Sequence, residues 1–65
     1  MATGVVKSYN VHHSYGFITP DGGGPEVMVY ADSIQDGGAL EEGQAVEYDL
    51  TSQEGRPVAE HVRRR

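Results

Sequence analysis

Ser14–Pro20, with the sequence SYGFITP, is the stretch that decides the fold. Strand residues alternate between the two faces of a sheet, so Tyr15 and Phe17 are predicted to share one face. Gly16 and Ile18 then share the other face, with Ile18 directed toward the interior. Two rings on an open strand face form a flat π surface of the kind on which unpaired bases stack. The alternative, for an isolated pair of rings, is that both belong to the core.

A second segment, Glu26–Tyr30, alternates in the same way and favours the exposed interpretation. Its two valines are predicted to join Ile18 in the core, which brings Met28 and Tyr30 beside the rings of the first segment. A loop of prolines and glycines, residues 20–25, joins the two strands into a hairpin. An exposed apolar patch of this kind on a small domain usually marks a binding surface.

Length and composition narrow the class of protein. The chain has 65 residues and no cysteine, which predicts one domain over residues 1–65 without disulfides or the commonest zinc sites. The formal charge of −5 disfavours non-specific attraction to duplex DNA or anionic membranes. No apolar run approaches the roughly 20 residues of a membrane span. The first residues lack the regions of a signal peptide, so a cytoplasmic location is expected.

The basic and histidine side chains give the candidate phosphate contacts. Lys7 is the only lysine and lies in a predicted first strand, Gly4–Val11, whereas Arg56 begins the last one. His12 and His13 are adjacent and therefore point to opposite faces, so no metal site and no cofactor are predicted. His13 is instead expected to be a weak, pH-dependent hydrogen-bonding group. The arginines at 63–65 are predicted to be a frayed, solvated tail.

Turn signals separate two further strands. Ala45–Thr51 alternates cleanly, which predicts that Val46, Tyr48 and Leu50 face inward. A last strand is predicted over Arg56–Val62, and its leading proline at position 57 suits a strand start. Five short strands with almost no helix predict an all-β, five-stranded antiparallel barrel.

Over nearly its whole length the chain resembles the bacterial cold-shock protein family. The opening MATGVVK matches the family start, YGFITP at 15–20 is similar to the first ribonucleoprotein motif (normally KGFGFI), and VMVY at 27–30 is similar to the second (normally VFVHF). The resemblance implies an antiparallel OB-fold barrel, called the cold-shock domain. It also implies a non-enzymatic protein that binds single-stranded RNA or DNA with low sequence specificity, as an RNA chaperone does.

The departures from the family pattern fall on the face that would bind. The family usually has tryptophan at Ser8, phenylalanine at Tyr9, a lysine–glycine pair at His13-Ser14 and phenylalanine at Met28. Histidine is replaced by Tyr30 and the following phenylalanine by Ala31. A stacked base contributes roughly 1–3 kcal/mol per aromatic contact, so weaker binding than in typical family members is predicted.

The predicted nucleic-acid-binding residues lie on this face or at its rim. They are Lys7, Tyr9, His13, Tyr15, Phe17, Met28, Tyr30 and Arg56. No catalytic residue, small-molecule substrate or membrane partner is predicted. A monomer is expected, with a strand-exchanged dimer as the alternative. The competing functional hypothesis is a diverged OB barrel that binds a protein partner, or itself, and has little affinity for nucleic acid.

Overall fold

The computed structural model describes residues 1–65 and contains five strands and one short 3₁₀ helix. The strands are β1 (Ala2–Asn10), β2 (Tyr15–Pro20), β3 (Val27–Tyr30), β4 (Ala45–Gln53) and β5 (Arg56–Arg64), and the 3₁₀ helix is Ala31–Ser33. The strands close into a barrel in the order β1-β2-β3-β5-β4, which confirms the predicted five-stranded all-β fold. Four of the pairings are antiparallel, and β3 closes against β5 in a short parallel pairing.

The barrel interior is filled by aliphatic side chains and one tyrosine. Its ten clustered core residues are Val6, Ile18, Val27, Val29, Ile34, Leu40, Val46, Tyr48, Ala59 and Val62. Ile34 and Leu40 come from the connection between β3 and β4. A small barrel needs such side chains because its interior is a packed core with no room for a channel.

Leu50 corrects the prediction that β4 buries all three of its alternating apolar residues. Tyr48 is only 1% exposed, but Leu50 is 60% exposed. Leu50 lies at an end of the barrel, where it lines an open cavity of about 360 Å³ with Met1, Pro25 and Pro57. The alternation of β4 continues through Leu50, but no other strand or loop covers this side chain.

Burial, together with the negative charge of Asp21, raises the pKa of Tyr48 above its usual value.

A β-bulge in β1 reverses the faces of the residues that follow it. Val6 pairs with Ile18, but the next pair joins Ser8 to Phe17, so Lys7 is the extra residue. As a result Ser8, and not Lys7, lies opposite the ring of Phe17. The residue after it, Tyr9, packs partly against the core cluster.

Gly16 permits the close approach of β1 and β2 that follows the bulge. A β-carbon at this position would lie 2.3 Å from the backbone oxygen of Ser8 and 2.9 Å from the Cα atom of Tyr9. Both distances are shorter than van der Waals contact with backbone atoms that cannot swing away. Only glycine therefore fits between the two rings of β2.

The C-terminal arginines form part of the barrel, which corrects the prediction of a frayed tail. β5 continues to Arg64, and the Arg64 guanidinium donates hydrogen bonds to the backbone oxygens of Gly37 (3.2 Å) and Ala39 (2.8 Å). The same side chain lies 3.5 Å from a carboxylate oxygen of Asp36. Arg64 thus fastens the glycine-containing loop between β3 and β4 to the end of β5.

The turn between β1 and β2 is organised by Asn10. Its side-chain oxygen accepts hydrogen bonds from the backbone N–H groups of His12 (2.9 Å) and His13 (3.1 Å). The backbone N–H of Ser14 then donates to the backbone oxygen of Asn10 at 2.8 Å. Closing the turn this way gives Ser14 a φ of 61°, in the left-handed region that favours glycine.

Replacing Ser14 by glycine should therefore stabilise the protein. The left-handed conformation is strained for serine, and part of the gain is lost to the larger entropy of an unfolded glycine, so Ser14→Gly should raise the free energy of unfolding by about 0.5–1 kcal/mol. Urea denaturation followed by circular dichroism measures the change. Ser52→Gly is the matched control, because Ser52 lies within β4 and there glycine should destabilise. Equal effects at the two positions would contradict the explanation.

Candidate nucleic-acid interface

Two cross-strand pairs build one outer face from β2 and β3. Tyr15 lies directly opposite Tyr30, and Phe17 lies directly opposite Met28. Directly opposed side chains in an antiparallel pair have Cβ atoms about 4.5–5.5 Å apart, close enough to form one surface. We call the four side chains the platform. The intervening residues of both strands face the core, as Ile18 shows by its complete burial.

The rings of the platform lie outside the barrel and contact each other. Tyr15 and Phe17 have ring centroids 5.8 Å apart with an edge-to-face angle of 76°. The His13 ring extends this row, since it lies 6.0 Å from the Tyr15 ring at an angle of 24°. Tyr30 is 40% exposed, whereas Tyr15 and Phe17 are half-buried. The alternative that Tyr15 and Phe17 belong to the core is therefore wrong.

One edge of the platform ends in a shallow cavity beside Ser8. The cavity has a volume of about 280 Å³ and is bordered by Ser8, Tyr9, Tyr15 and Phe17. Ser8 shares the outer face with Phe17 because of the bulge, but its side chain is too short to fill the space. Among the predicted site residues, Tyr9 differs from the rest: it borders this cavity while packing partly on the core.

Lys7 forms an ion pair with a carboxylate that was not among the predicted site residues. The Lys7 Nζ atom forms an ion pair with Glu26, and both side chains are exposed. β2 lies between β1 and β3 in the barrel, so this pair spans the outer face of β2. Lys7 therefore faces the predicted surface, and in the unbound protein its ammonium is paired with a carboxylate. The only feature of the sequence that could have indicated this ion pair is the acidic residue Glu26 at the start of the predicted third strand.

Arg56 is the one lysine or arginine without an ion pair. Lys7 and the three C-terminal arginines each have an acidic partner within the structure. Arg56 begins β5 directly after a two-residue turn in which Glu54 and Gly55 both have positive φ, 53° and 79°. It borders a cavity of about 220 Å³ together with Met28 and Tyr30. The free guanidinium is thus placed at the margin of the platform.

Neither a metal centre nor a spanning helix is present in the structure. No group of three or more histidine, aspartate or glutamate side chains is arranged to hold a metal ion. None of the helical structure has the length and apolar character needed to cross a membrane.

Sequence comparisons agree with this geometry. The sequence model of the "Cold-shock" DNA-binding domain family matches residues 2–65. The chain is 44% identical over 64 residues to the cold shock protein ScoF of Streptomyces coelicolor, which covers 95% of this chain and 96% of that protein. It is 43% identical over 65 residues to the cold shock-like protein CspA of Stigmatella aurantiaca, covering 97% and 96% of the two chains. It is 37% identical over 67 residues to the cold shock protein CspA of Rhizobium meliloti, covering 97% of each.

A small closed β-barrel with an outward aromatic platform is the class of protein that the coordinates define. The family match over residues 2–65 and the relatives above then make the assignment specific. The chain belongs to the cold-shock domain family.

Proposed function

We propose that the protein binds single-stranded RNA or DNA by stacking bases on the platform, with low sequence specificity and without catalysis. The observation that supports this most directly is the register of β2 against β3, which puts Tyr15 and Tyr30 side by side on the outside of the barrel. Every base has a π face, so stacking on such rings tolerates any sequence. In this proposal the protein is a monomer that acts as an RNA chaperone in the cytoplasm.

Electrostatics favour a single strand over a duplex as the partner. Duplex DNA carries its phosphates on the outside and its bases inside, so duplex binding relies on many basic contacts. This chain has a formal charge of −5 and offers Arg56 as its one unpaired strong base. A single strand presents its bases to the platform and needs few phosphate contacts. Binding should therefore depend only weakly on salt.

Affinity should be lower than in family members that carry more rings. Ser8, Met28 and Ala31 replace a tryptophan and two phenylalanines of the family pattern, and Ser8 faces outward beside Phe17. At roughly 1–3 kcal/mol per stacked base, three missing rings should weaken binding by more than tenfold. The remaining rings still form a contiguous surface, because His13 lies against Tyr15 and Tyr15 against Phe17.

Removing two platform rings should abolish most of the binding. The Tyr15→Ala/Phe17→Ala variant loses two stacking surfaces, so its affinity for a fluorescein-labelled oligothymidine at low salt should fall at least tenfold. Fluorescence anisotropy measures the affinity, and circular dichroism verifies the fold. Leu50→Ala is the control, since Leu50 is an exposed apolar residue at the mouth of the barrel. Unchanged affinity in the double variant would refute the proposal and favour the protein-interaction hypothesis.

Adding the missing ring at Ser8 should strengthen binding. A tryptophan there would extend over the 280 Å³ cavity beside Phe17 and provide another stacking surface. Ser8→Trp should raise the affinity for the same oligonucleotide by about five- to fiftyfold. The new indole, the only one in the chain, should also be quenched on binding. Ser8→Leu adds apolar bulk without a flat ring and should give a much smaller gain; an equal gain from leucine would show that stacking is not the cause.

Releasing Lys7 from Glu26 should also strengthen binding and steepen its salt dependence. In Glu26→Gln the ammonium becomes free to contact a phosphate, so affinity at low salt should rise about three- to tenfold. The slope of log K against log salt should become more negative by about 0.7, the value for one phosphate contact with a single strand. Glu47→Gln is the matched control, because it removes the same charge and releases Arg63 on the other side of the barrel. A control with the same slope change would show that net charge alone is responsible.

A further inference from the structure

A groove continues the outer surface beyond Tyr30. It encloses about 380 Å³ between the end of β3 and the paired strands β4 and β5. Tyr30 forms one wall and also borders the cavity that contains Arg56, so the groove is continuous with the platform. Its other lining side chains are polar except for Val58: Asp32, Ser33, Thr51, Ser52, Gln53 and Glu60.

The polar side chains of this groove have no partners within the protein. No side-chain hydrogen bond or ion pair involves any of the six, whereas five of the eight acidic residues elsewhere in the chain pair with a basic or histidine side chain. Asp32 and Glu60 are both exposed and both lack a cation. A groove with unengaged acceptors beside an aromatic ring is equipped to hydrogen-bond a planar polar ligand.

The charge of the groove selects which part of a nucleic acid can enter it. Two carboxylates repel phosphate, and the free guanidinium of Arg56 lies in the adjoining cavity. The backbone is therefore directed toward Arg56, and the edge of a base toward the groove. Single-stranded nucleic acids expose their Watson–Crick edges for such recognition.

The acceptors distinguish the bases by the donors on that edge. Guanine presents an N1–H and an amino group side by side, and both can donate to one carboxylate. Thymine and uracil present a single N3–H between two carbonyl oxygens, which a carboxylate repels. Asp32 is the better placed acceptor, because it lies two residues after Tyr30 in the 3₁₀ helix that follows β3.

We propose that this groove is a base-reading subsite that prefers guanine over thymine or uracil, with Asp32 as the specificity-determining residue. The inference rests on the proposed function, since the platform must first hold the strand. It adds a preference at one nucleotide position to binding that is otherwise insensitive to sequence.

The test uses short oligothymidines that carry one guanine, placed at each position in turn. The best-placed guanine should raise the affinity of the protein about five- to tenfold over the all-thymine oligomer. Inosine at that position lacks the amino group and should lose most of the gain. In Asp32→Asn the amide can donate to thymine oxygens, so the ratio of the guanine and thymine affinities should fall to about one.

Glu42→Gln provides the charge-matched control. Glu42 is an exposed acid without a partner, lies outside the groove, and should alter both affinities by the same factor. Equal binding of all oligomers by the wild type would overturn the inference while leaving the proposed function intact. The same loss of preference in Glu42→Gln as in Asp32→Asn would also overturn it. Absence of binding to any oligomer would refute the proposed function itself, and the two failures are therefore distinguishable.

Discussion

The burial of Ile18 is the constraint on which the outer face depends. Its side chain is completely buried and lies opposite Val6 of β1 and Val27 of β3. Side chains alternate with a period of two, so a slip of β2 by one residue would expose Ile18 and turn the rings of Tyr15 and Phe17 into the barrel. Burial of a side chain of this size contributes about 1.5–3 kcal/mol, and the core is too small to accept both rings. Core packing therefore fixes the orientation of the platform.

The net charge of the chain does not show how its charged side chains are paired. The formal charge of −5 describes a chain in which most of the basic groups are already neutralised by acids on neighbouring elements. Arg64 serves the fold, since it fastens a loop through two backbone carbonyls. Arg56 has no such task and lies beside Tyr30. A small barrel that uses its arginines as structural ties retains few of them for phosphate, which makes stacking the main source of affinity in the proposed function.

The sequence predicted correctly those side-chain positions that depend only on the alternation of residues within one hairpin. The alternation of β2 and β3 sufficed to place Tyr15 and Tyr30 together, because their pairing requires only a short connection. The bulge at Lys7 was not predictable, since nothing in the local pattern marks the extra residue, and it places Ser8 on the outer face and Tyr9 partly against the core. The Lys7–Glu26 ion pair and the hydrogen bonds of Arg64 to the loop before β4 were not predicted either, because they join residues far apart in the sequence. The family resemblance supplied the barrel topology, which alternation alone does not determine.

The losses of aromatic residues shorten the platform and leave its centre intact. The registers define two rows across the sheet, Ser8–Phe17–Met28 and Asn10–Tyr15–Tyr30. In the first row the ring occupies the middle position, and its neighbours are a hydroxyl and a thioether. In the second row two tyrosines are adjacent, and the His13 ring lies against one of them. The surviving rings are therefore contiguous. In the proposed function each stacked base needs its own ring, so a contiguous but shorter surface would hold fewer bases while each contact would keep its strength.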